Sequence, residues 1–176
     1  TKAARSISEF AIDQLSNWYV RLNRRRFWKS EMGRDKLAAY QTLQECLDTV
    51  VKLMAPFAPF LAEEIYRNLN TVTHRDPAGS VHLATMPVAD EAVIDRELEE
   101  RMERAEKIVV LVRAMRMKAN LKVRQPLRRI ILPIADEQER EGVKKMQEII
   151  LDEINVKDIE YVHDASGIVR KKAKPN

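Results

Sequence analysis

Residues 35–60 of the 176-residue chain have the sequence DKLAAYQTLQECLDTVVKLMAPFAPF, and this stretch decides the class of fold. Apolar residues recur in it at three- and four-residue spacing with polar residues between them, which predicts an amphipathic helix with one buried face. Asp35 is expected to cap this helix, and Pro56 is expected to end or kink it. Pro59 suits the first turn of a further short helix over 60–69. The apolar positions are Leu37, Tyr40, Leu43, Leu47, Val50 or Val51, and Met54.

The segments on both sides of this stretch are also predicted to be mainly helical. Residues 3–29 show the same spacing without Gly or Pro, and Gly33 supplies a stop. Residues 71–88 contain Pro and Gly without periodicity and predict a loop, in which 80–83 is briefly extended. A fourth helix is predicted over 91–119, because its acidic first half and basic second half match the helix dipole.

The pattern changes after Pro126. A short β-branched run over 129–134 predicts a strand, 137–153 a helix, 156–162 a second strand, and 167–170 a possible further strand. The chain is therefore predicted to be mainly α, with its helices followed by a small α/β appendage of strand–helix–strand form. Three parts are expected: a helical part over 1–90, a junction helix and basic segment over 91–125, and the appendage over 126–176.

The composition excludes several kinds of site. The four glycines are too far apart for a phosphate-binding loop, and the three histidines form no recognisable ligand pair. The single cysteine, Cys46, excludes an internal disulfide or a multi-cysteine zinc site and fits a reducing compartment. The longest apolar run, 53–62, is interrupted by prolines and is half the ~20 residues that a membrane span needs. No catalytic arrangement is recognisable, so neither an enzyme site nor a membrane anchor is expected here.

Charge is distributed unevenly along the chain, although the net charge is only +4. Residues 21–29 carry five bases and no acid, and 113–129 carry seven bases and no acid. Residues 90–103 carry seven acids and two bases, a local charge of −5. Basic blocks of this kind pair with phosphates, but they also occur as solvated helix surfaces. The sequence leaves both interpretations open.

Two clusters in the basic blocks are candidate RNA-binding residues. The first combines arginines with aromatic rings, which single-stranded RNA uses for phosphate pairing and base stacking. Within it, Trp18 and Phe27 are expected to lie in the core. The second cluster follows a helix end, where cations are favoured structurally, and it could contact RNA, another domain or only solvent. The candidates are Arg21, Arg24, Arg25, Arg26 and Trp28 in the first cluster, and Arg116, Lys118, Lys122 and Arg124 in the second.

Several short motifs together resemble the C-terminal anticodon-binding region of class I aminoacyl-tRNA synthetases. They are LSNWYVR (15–21), RRRFW (24–28), MAPFAPF (54–60), EEIY (63–66), SVHL (80–83), KVRQPL (122–127) and DEINVK (152–157). The resemblance covers essentially the whole chain in the family's order. The KVRQPL stretch is most similar to the isoleucyl branch, and the valyl branch is the alternative.

The resemblance implies an antiparallel helical bundle that grips tRNA, in this branch tRNA-Ile. It implies a cytoplasmic parent enzyme that joins isoleucine to tRNA with ATP and Mg²⁺ in its catalytic domain. The family's His-x-Gly-His and Lys-Met-Ser-Lys-Ser motifs do not occur here, so we expect a non-catalytic piece of a longer chain, without cofactors of its own. Its expected partners are tRNA and the catalytic domain of the same chain, in a monomer. The other hypothesis is a structural bundle that docks a catalytic body and touches RNA little.

Overall fold

The computed structural model describes residues 2–28 and 31–163, which are mainly helical with one small parallel sheet. The chain divides between Glu91 and Ala92 into two compact units. This division puts the predicted junction segment 91–125 almost entirely in the second unit, together with the sheet. Among the described residues, no helix is both long and apolar enough to cross a membrane.

The first unit is built from helices. It comprises α1 (Lys2–Glu9), a segment with wider π-helical winding (Phe10–Val20), α2 (Arg24–Trp28), α3 (Arg34–Met54) and α4 (Pro59–Thr73). The α-helix predicted over 3–29 is therefore confirmed as helical over its described part, 3–28, but not as one uniform α-helix. A turn at Asn23 separates α2, and there the Tyr19 carbonyl accepts both from the Asn23 side-chain amide at 2.8 Å and from the Asn23 backbone N–H at 3.1 Å.

The helices predicted from residues 35–60 are present, with two differences in detail. Gly33 occupies the cap position of α3, so the prediction that Asp35 caps this helix is wrong. Asp35 lies instead in the first turn of α3 and accepts hydrogen bonds from Arg26. Pro59 starts α4 as predicted, but α4 continues to Thr73 and ends where His74 adopts a left-handed conformation.

The core of the first unit lies between α3 and α4. Val51 and Ala55 pack there with Ala62, Tyr66 and Val81, and Ala62 is fully buried. The Tyr66 hydroxyl donates to the Ala78 carbonyl at 3.0 Å, which attaches the following loop to α4. The exposed α4 face leaves Phe60 and Leu61 in solvent.

The loop segment predicted to be extended forms a 3₁₀ turn over Val81–Leu83, so that prediction is wrong. The Ser80 hydroxyl accepts from the backbone N–H of His82 at 3.3 Å and caps the turn. The Glu63 carboxylate in turn accepts from the Ser80 hydroxyl at 2.9 Å and from the Val81 N–H at 2.8 Å. A distant side chain therefore fixes the turn, and local periodicity could not show it.

The second unit combines one long helix with a small α/β element. It comprises α5 (Arg96–Lys118), β1 (Ile130–Pro133), α6 (Glu137–Lys145), α7 (Gln147–Ile154) and β2 (Ile159–Val162). Asp95 caps α5 by accepting from the Leu98 N–H at 2.9 Å, so this helix begins five positions later than the predicted residue 91. Helix α5 packs against α6 and α7 through buried Ala105, Val109 and Val112.

The two strands are parallel, with Ile130 opposite Ile159 and Leu132 opposite Tyr161. The predicted helix over 137–153 is broken at Met146 into α6 and α7. The predicted second strand begins only at Ile159, because Asn155 is left-handed and leaves an isolated bridge between Leu127 and Val156. The possible strand at 167–170 lies outside the described residues.

Candidate nucleic-acid interface

Helix α2 holds the first predicted cluster except Arg21, and Phe27 anchors the helix. The Phe27 ring is buried, 5.0 Å from the Tyr40 ring and 6.4 Å from the Tyr19 ring by centroid distance. The Tyr40 hydroxyl donates to the Phe27 carbonyl at 3.2 Å, which ties α2 to α3. Trp18 is also buried, so the prediction that Trp18 and Phe27 belong to the core is confirmed.

With Phe27 turned inward, the neighbouring side chains of α2 face solvent. Arg24 and Arg25 are exposed, and Trp28 keeps 69% of its surface in solvent. The Arg24 guanidinium lies over the Trp28 ring, 5.7 Å from its centroid, in a cation–π arrangement. An exposed ring with cations beside it offers both a stacking face and phosphate-binding donors.

Arg26 has a different environment from its neighbours in the same run. Its Nε and Nη2 donate to the two carboxylate oxygens of Asp35 at 2.8 and 2.6 Å, and Nη1 donates to Asn23 Oδ1 at 2.7 Å. This bidentate ion pair connects α2 with the first turn of α3, and together with the bond to Asn23 it satisfies most of the guanidinium's hydrogen-bond donors. Arg21, one turn before α2, is half-buried. The first cluster thus contains a structural arginine as well as exposed ones.

The second predicted cluster follows the end of α5. Lys118 is the last residue of α5, and Lys122 and Arg124 extend from the turn that follows, where all three are exposed. Asn120 is left-handed, and the Leu121 N–H donates to the Arg116 carbonyl at 2.8 Å. This is the usual arrangement of a helix C-terminus, and it directs the chain away from α5.

Arg116 is the one predicted contact that the structure removes from the surface. It is 2% exposed, and its guanidinium donates to the carbonyl oxygens of Lys122, Gln125, Ile154 and Asn155 at 2.8–3.1 Å. A phosphate cannot reach a guanidinium enclosed in this way, so the assignment of Arg116 as a direct RNA contact is corrected. Its position follows from helical spacing, since 116 continues the buried face of Val109 and Val112.

Two acids of the acidic block over 90–103 form ion pairs within the second unit. Glu97 pairs with Arg101, and Glu103 pairs with Lys107 at 2.6 Å, both one turn apart on α5. Arg113 pairs with the Glu153 carboxylate on α7. These local pairs offset much of the charge along α5. Lys118, Lys122 and Arg124 follow the paired residues in sequence, at the end of α5 and in the turn after it.

A partly buried ion network in the first unit was not predicted. The Lys52 ammonium lies 2.9 Å from a carboxylate oxygen of Asp48 and 2.8 Å from one of Asp76. Burial lowers the pKa of Lys52, but hydrogen bonds to Asp76 and Asp48 outweigh it and raise the pKa above its ordinary value. The same hydrogen bond from Lys52 lowers the pKa of Asp76. No sequence signal links Asp76 to α3, because the pairing depends on the fold of the intervening loop.

These groups line a pocket of about 140 Å³ between α3 and α4, in which Lys52 already has two carboxylate partners. Within residues 2–28 and 31–163, no three His, Cys, Asp or Glu side chains are placed to hold a metal ion together. The pocket is thus lined by a structural ion network in which one ammonium serves two carboxylates. The exposed cations of α2 and of the turn after α5, in contrast, are accessible to a ligand.

Comparison with known proteins gives a consistent family. The model for the anticodon-binding domain of tRNA ligase matches residues 1–131. The chain is 52% identical to an isoleucine–tRNA ligase of Bacteroides thetaiotaomicron over 99% of its own length and 15% of the relative's. It is 50% identical to the enzyme of that name from Cytophaga hutchinsonii and 46% identical to that from Clostridium novyi, over all of this chain and 16% of each relative. It therefore spans about 15% of the length of these relatives. Because the family model covers well over half of its residues, the chain belongs to the anticodon-binding domains of tRNA ligases.

Proposed function

We propose that this chain is the tRNA-binding part of an isoleucine–tRNA ligase and that it binds the RNA without taking part in catalysis. The observation that carries the proposal is the anchored, solvent-facing group of Arg24, Arg25 and Trp28 on α2. The family match and the names of the relatives, at about 50% identity over the chain, support the choice of RNA as partner. The cognate RNA is tRNA-Ile.

In this proposal each cluster binds tRNA through its own exposed side chains. Arg24 and Arg25 bind backbone phosphates, while the open face of Trp28 stacks on an unpaired base. Lys118, Lys122 and Arg124 bind phosphates as a second group, and half-buried Arg21 contributes from the preceding turn. Phosphate contacts of this type set position and give salt-dependent affinity, whereas base contacts give selectivity.

The remaining expectations concern the longer ligase. ATP and Mg²⁺ would be held by its catalytic domain and would supply the activation of isoleucine. The described part of this chain fits neither group, because it presents no carboxylate cluster for a metal ion and its glycines form no phosphate loop. We further propose that the helices form an antiparallel bundle. Residues 1–90 are the anticodon-binding part, and 91–125 connect it to the appendage. The longer protein acts as a cytoplasmic monomer whose catalytic domain packs on this chain.

The direct test is binding of a fluorescent tRNA-Ile transcript to this chain at several salt concentrations. We expect binding whose logarithmic affinity falls linearly with the logarithm of the salt concentration. Arg24→Ala and Arg25→Ala should each weaken binding and reduce the slope by about 1, as expected for loss of a phosphate contact. Arg67→Ala is the matched control. It also removes one positive charge, but from an arginine that is paired with Glu63 on α4.

Three outcomes would contradict parts of the proposal. Absence of salt-sensitive tRNA binding would favour the structural bundle, for which the Arg26–Asp35 pair is the supporting observation. Equal weakening by Arg67→Ala would mean that net charge, not the α2 surface, controls affinity. Tighter binding of a tRNA-Val transcript than of tRNA-Ile would move the chain to the valyl branch.

A further inference from the structure

Arg116 is a buried cation whose partners are all uncharged. It makes five hydrogen bonds to four backbone carbonyl oxygens, and within the described residues its Nε has no partner. Burying a guanidinium is costly unless its donors are satisfied, so the surrounding backbone must be held in one arrangement. The question is which part of the molecule needs that arrangement.

The four carbonyls come from two segments that lie far apart in sequence. Lys122 and Gln125 belong to the turn after α5, and Ile154 and Asn155 form the end of α7. The left-handed Asn155 adds a further bond, since its side-chain amide donates to the Val123 carbonyl at 3.0 Å. The backbone over 122–125 is therefore fixed from both sides, by the Arg116 fork and by the end of α7.

The side chains of this fixed backbone face the other way. The side chains of Lys122, Val123 and Arg124 are exposed. The backbone carbonyls of Lys122 and Val123 instead accept hydrogen bonds from Arg116 and Asn155. We name residues 118–125 the basic turn. It joins exposed Lys118, at the end of α5, with exposed Lys122 and Arg124 on a backbone that has little freedom.

We propose that Arg116 is a positioning residue for RNA binding, which fixes the basic turn so that Lys118, Lys122 and Arg124 meet RNA phosphates in a preformed arrangement. This inference rests on the proposed function. Its physical basis is preorganisation, since a surface that is already ordered does not lose that freedom when the RNA binds. Lysine cannot replace the fork, because one ammonium cannot reach carbonyls on both segments in the planar geometry of a guanidinium.

Arg113 provides the matched control. It lies one turn before Arg116 on α5, and it also reaches the end of α7, where Nη2 donates to the Glu153 carbonyl at 2.8 Å and pairs with the Glu153 carboxylate. Its described partners do not include the basic turn. Arg113→Met thus removes a partly buried guanidinium that bridges α5 and α7 but leaves the basic turn attached.

The experiment compares Arg116→Lys, Arg116→Met, Arg113→Met and Lys122→Ala with the unaltered chain. Hydrogen exchange reports the amides of Gln125 and Leu127, which donate to Lys122 and Asn155. Binding of tRNA-Ile is measured over a salt series on the same samples. Arg116→Lys keeps the positive charge and a residue that favours helix. It therefore provides the test if Arg116→Met folds poorly.

We expect both Arg116 variants to speed exchange at Gln125 and Leu127 and to weaken tRNA binding about three- to tenfold. The salt slope should stay as in the unaltered chain, because every exposed cation remains. Lys122→Ala should instead lower the slope by about 1 with exchange unchanged. Arg113→Met should leave the tRNA affinity unchanged.

Each other result overturns the inference in a recognisable way. Unchanged affinity in Arg116→Lys removes the positioning role while the proposed function stands. A slope lowered by Arg116→Met as much as by Lys122→Ala, and retained in Arg116→Lys, makes residue 116 a phosphate contact. Equal weakening by Arg113→Met makes general packing the cause. If the unaltered chain shows no salt-sensitive tRNA binding, the proposed function fails, and this inference fails with it.

Discussion

Arg24 and Arg116 both stand in basic runs without acids, yet the first faces solvent over an indole ring and the second is enclosed by carbonyl oxygens. Their charge is the same, and their position on the helix differs. Phe27 turns inward and leaves Arg24, Arg25 and Trp28 outside, whereas 116 continues the buried face of α5. The position of these two cations around their helices therefore decides whether each faces solvent or the core.

Trp28 gives a sharp prediction at the scale of one residue. Because its ring is mostly exposed, Trp28→Ala should change the free energy of unfolding by less than about 0.5 kcal/mol. If the ring stacks on an unpaired base, the same change should weaken binding of an anticodon stem-loop by about 1–3 kcal/mol. Trp28→Phe should retain much of the affinity. Fluorescence anisotropy and thermal unfolding of the same variants measure both effects.

Phe27→Ala is the matched contrast for this prediction, since it removes the buried ring that anchors α2. It should cost about 3–5 kcal/mol of stability. Full tRNA affinity in Trp28→Ala, with binding lost only in Phe27→Ala, would show that α2 serves the fold and that its exposed ring does not touch RNA.

At the scale of elements, local signals predicted that α3, α4, α5 and β1 exist because each has its own periodicity, whereas the predicted ends of the three helices differ from the observed ones. The differences arise where a distant group competes with the local pattern. Arg26 draws Asp35 away from the cap position, and Glu63 closes the 3₁₀ turn that follows Ser80. Neither pairing has a spacing that sequence inspection could detect. The candidate site follows the same rule, since exposure of Arg24 was predictable from helix phase and capture of Arg26 was not.

The α3–α4 packing gives the prediction at this scale. Ala62 is fully buried between Val51, Ala55 and Tyr66, so a larger side chain there must displace one helix from the other. Ala62→Leu should lower the free energy of unfolding by about 1–3 kcal/mol through overpacking. Leu61→Ala, at the exposed neighbouring position, should lower it by less than about 0.5 kcal/mol. Urea denaturation measures both, and equal effects would mean that α4 does not bury Ala62 against α3.

At the scale of the whole molecule, the charge balance is mostly local. Glu97, Glu103 and Glu141 pair with bases three or four positions away, and Asp76 pairs with Lys52 across the first unit. A net charge of +4 therefore describes the surface less well than the exposed basic groups that remain after pairing. The same pairing makes the stability of the chain depend on pH.

Among the described residues, four carboxyl groups have pKa values below their ordinary range: Asp76 through its hydrogen bond to Lys52, Glu63 through the Val81 N–H, Glu103 through Lys107 and Glu141 through Lys144. The unfolded chain therefore binds more protons than the folded chain as pH falls through the ordinary values of about 4. Stability should be constant near neutral pH and decrease progressively below about pH 5. The raised pKa of Lys52 has the opposite consequence, a loss of stability as pH rises beyond about 10.

Asp76→Asn tests which group carries part of this dependence. The variant should be less stable than the unaltered chain at pH 7, because Lys52 loses a charged partner. The difference should narrow as pH falls below about 4, where Asp76 of the unaltered chain becomes protonated as well. Urea denaturation at a series of pH values measures both curves. Parallel curves down to pH 2 would mean that the Lys52–Asp76 pair contributes no acid dependence and that the lowered pKa of Asp76 is not coupled to folding.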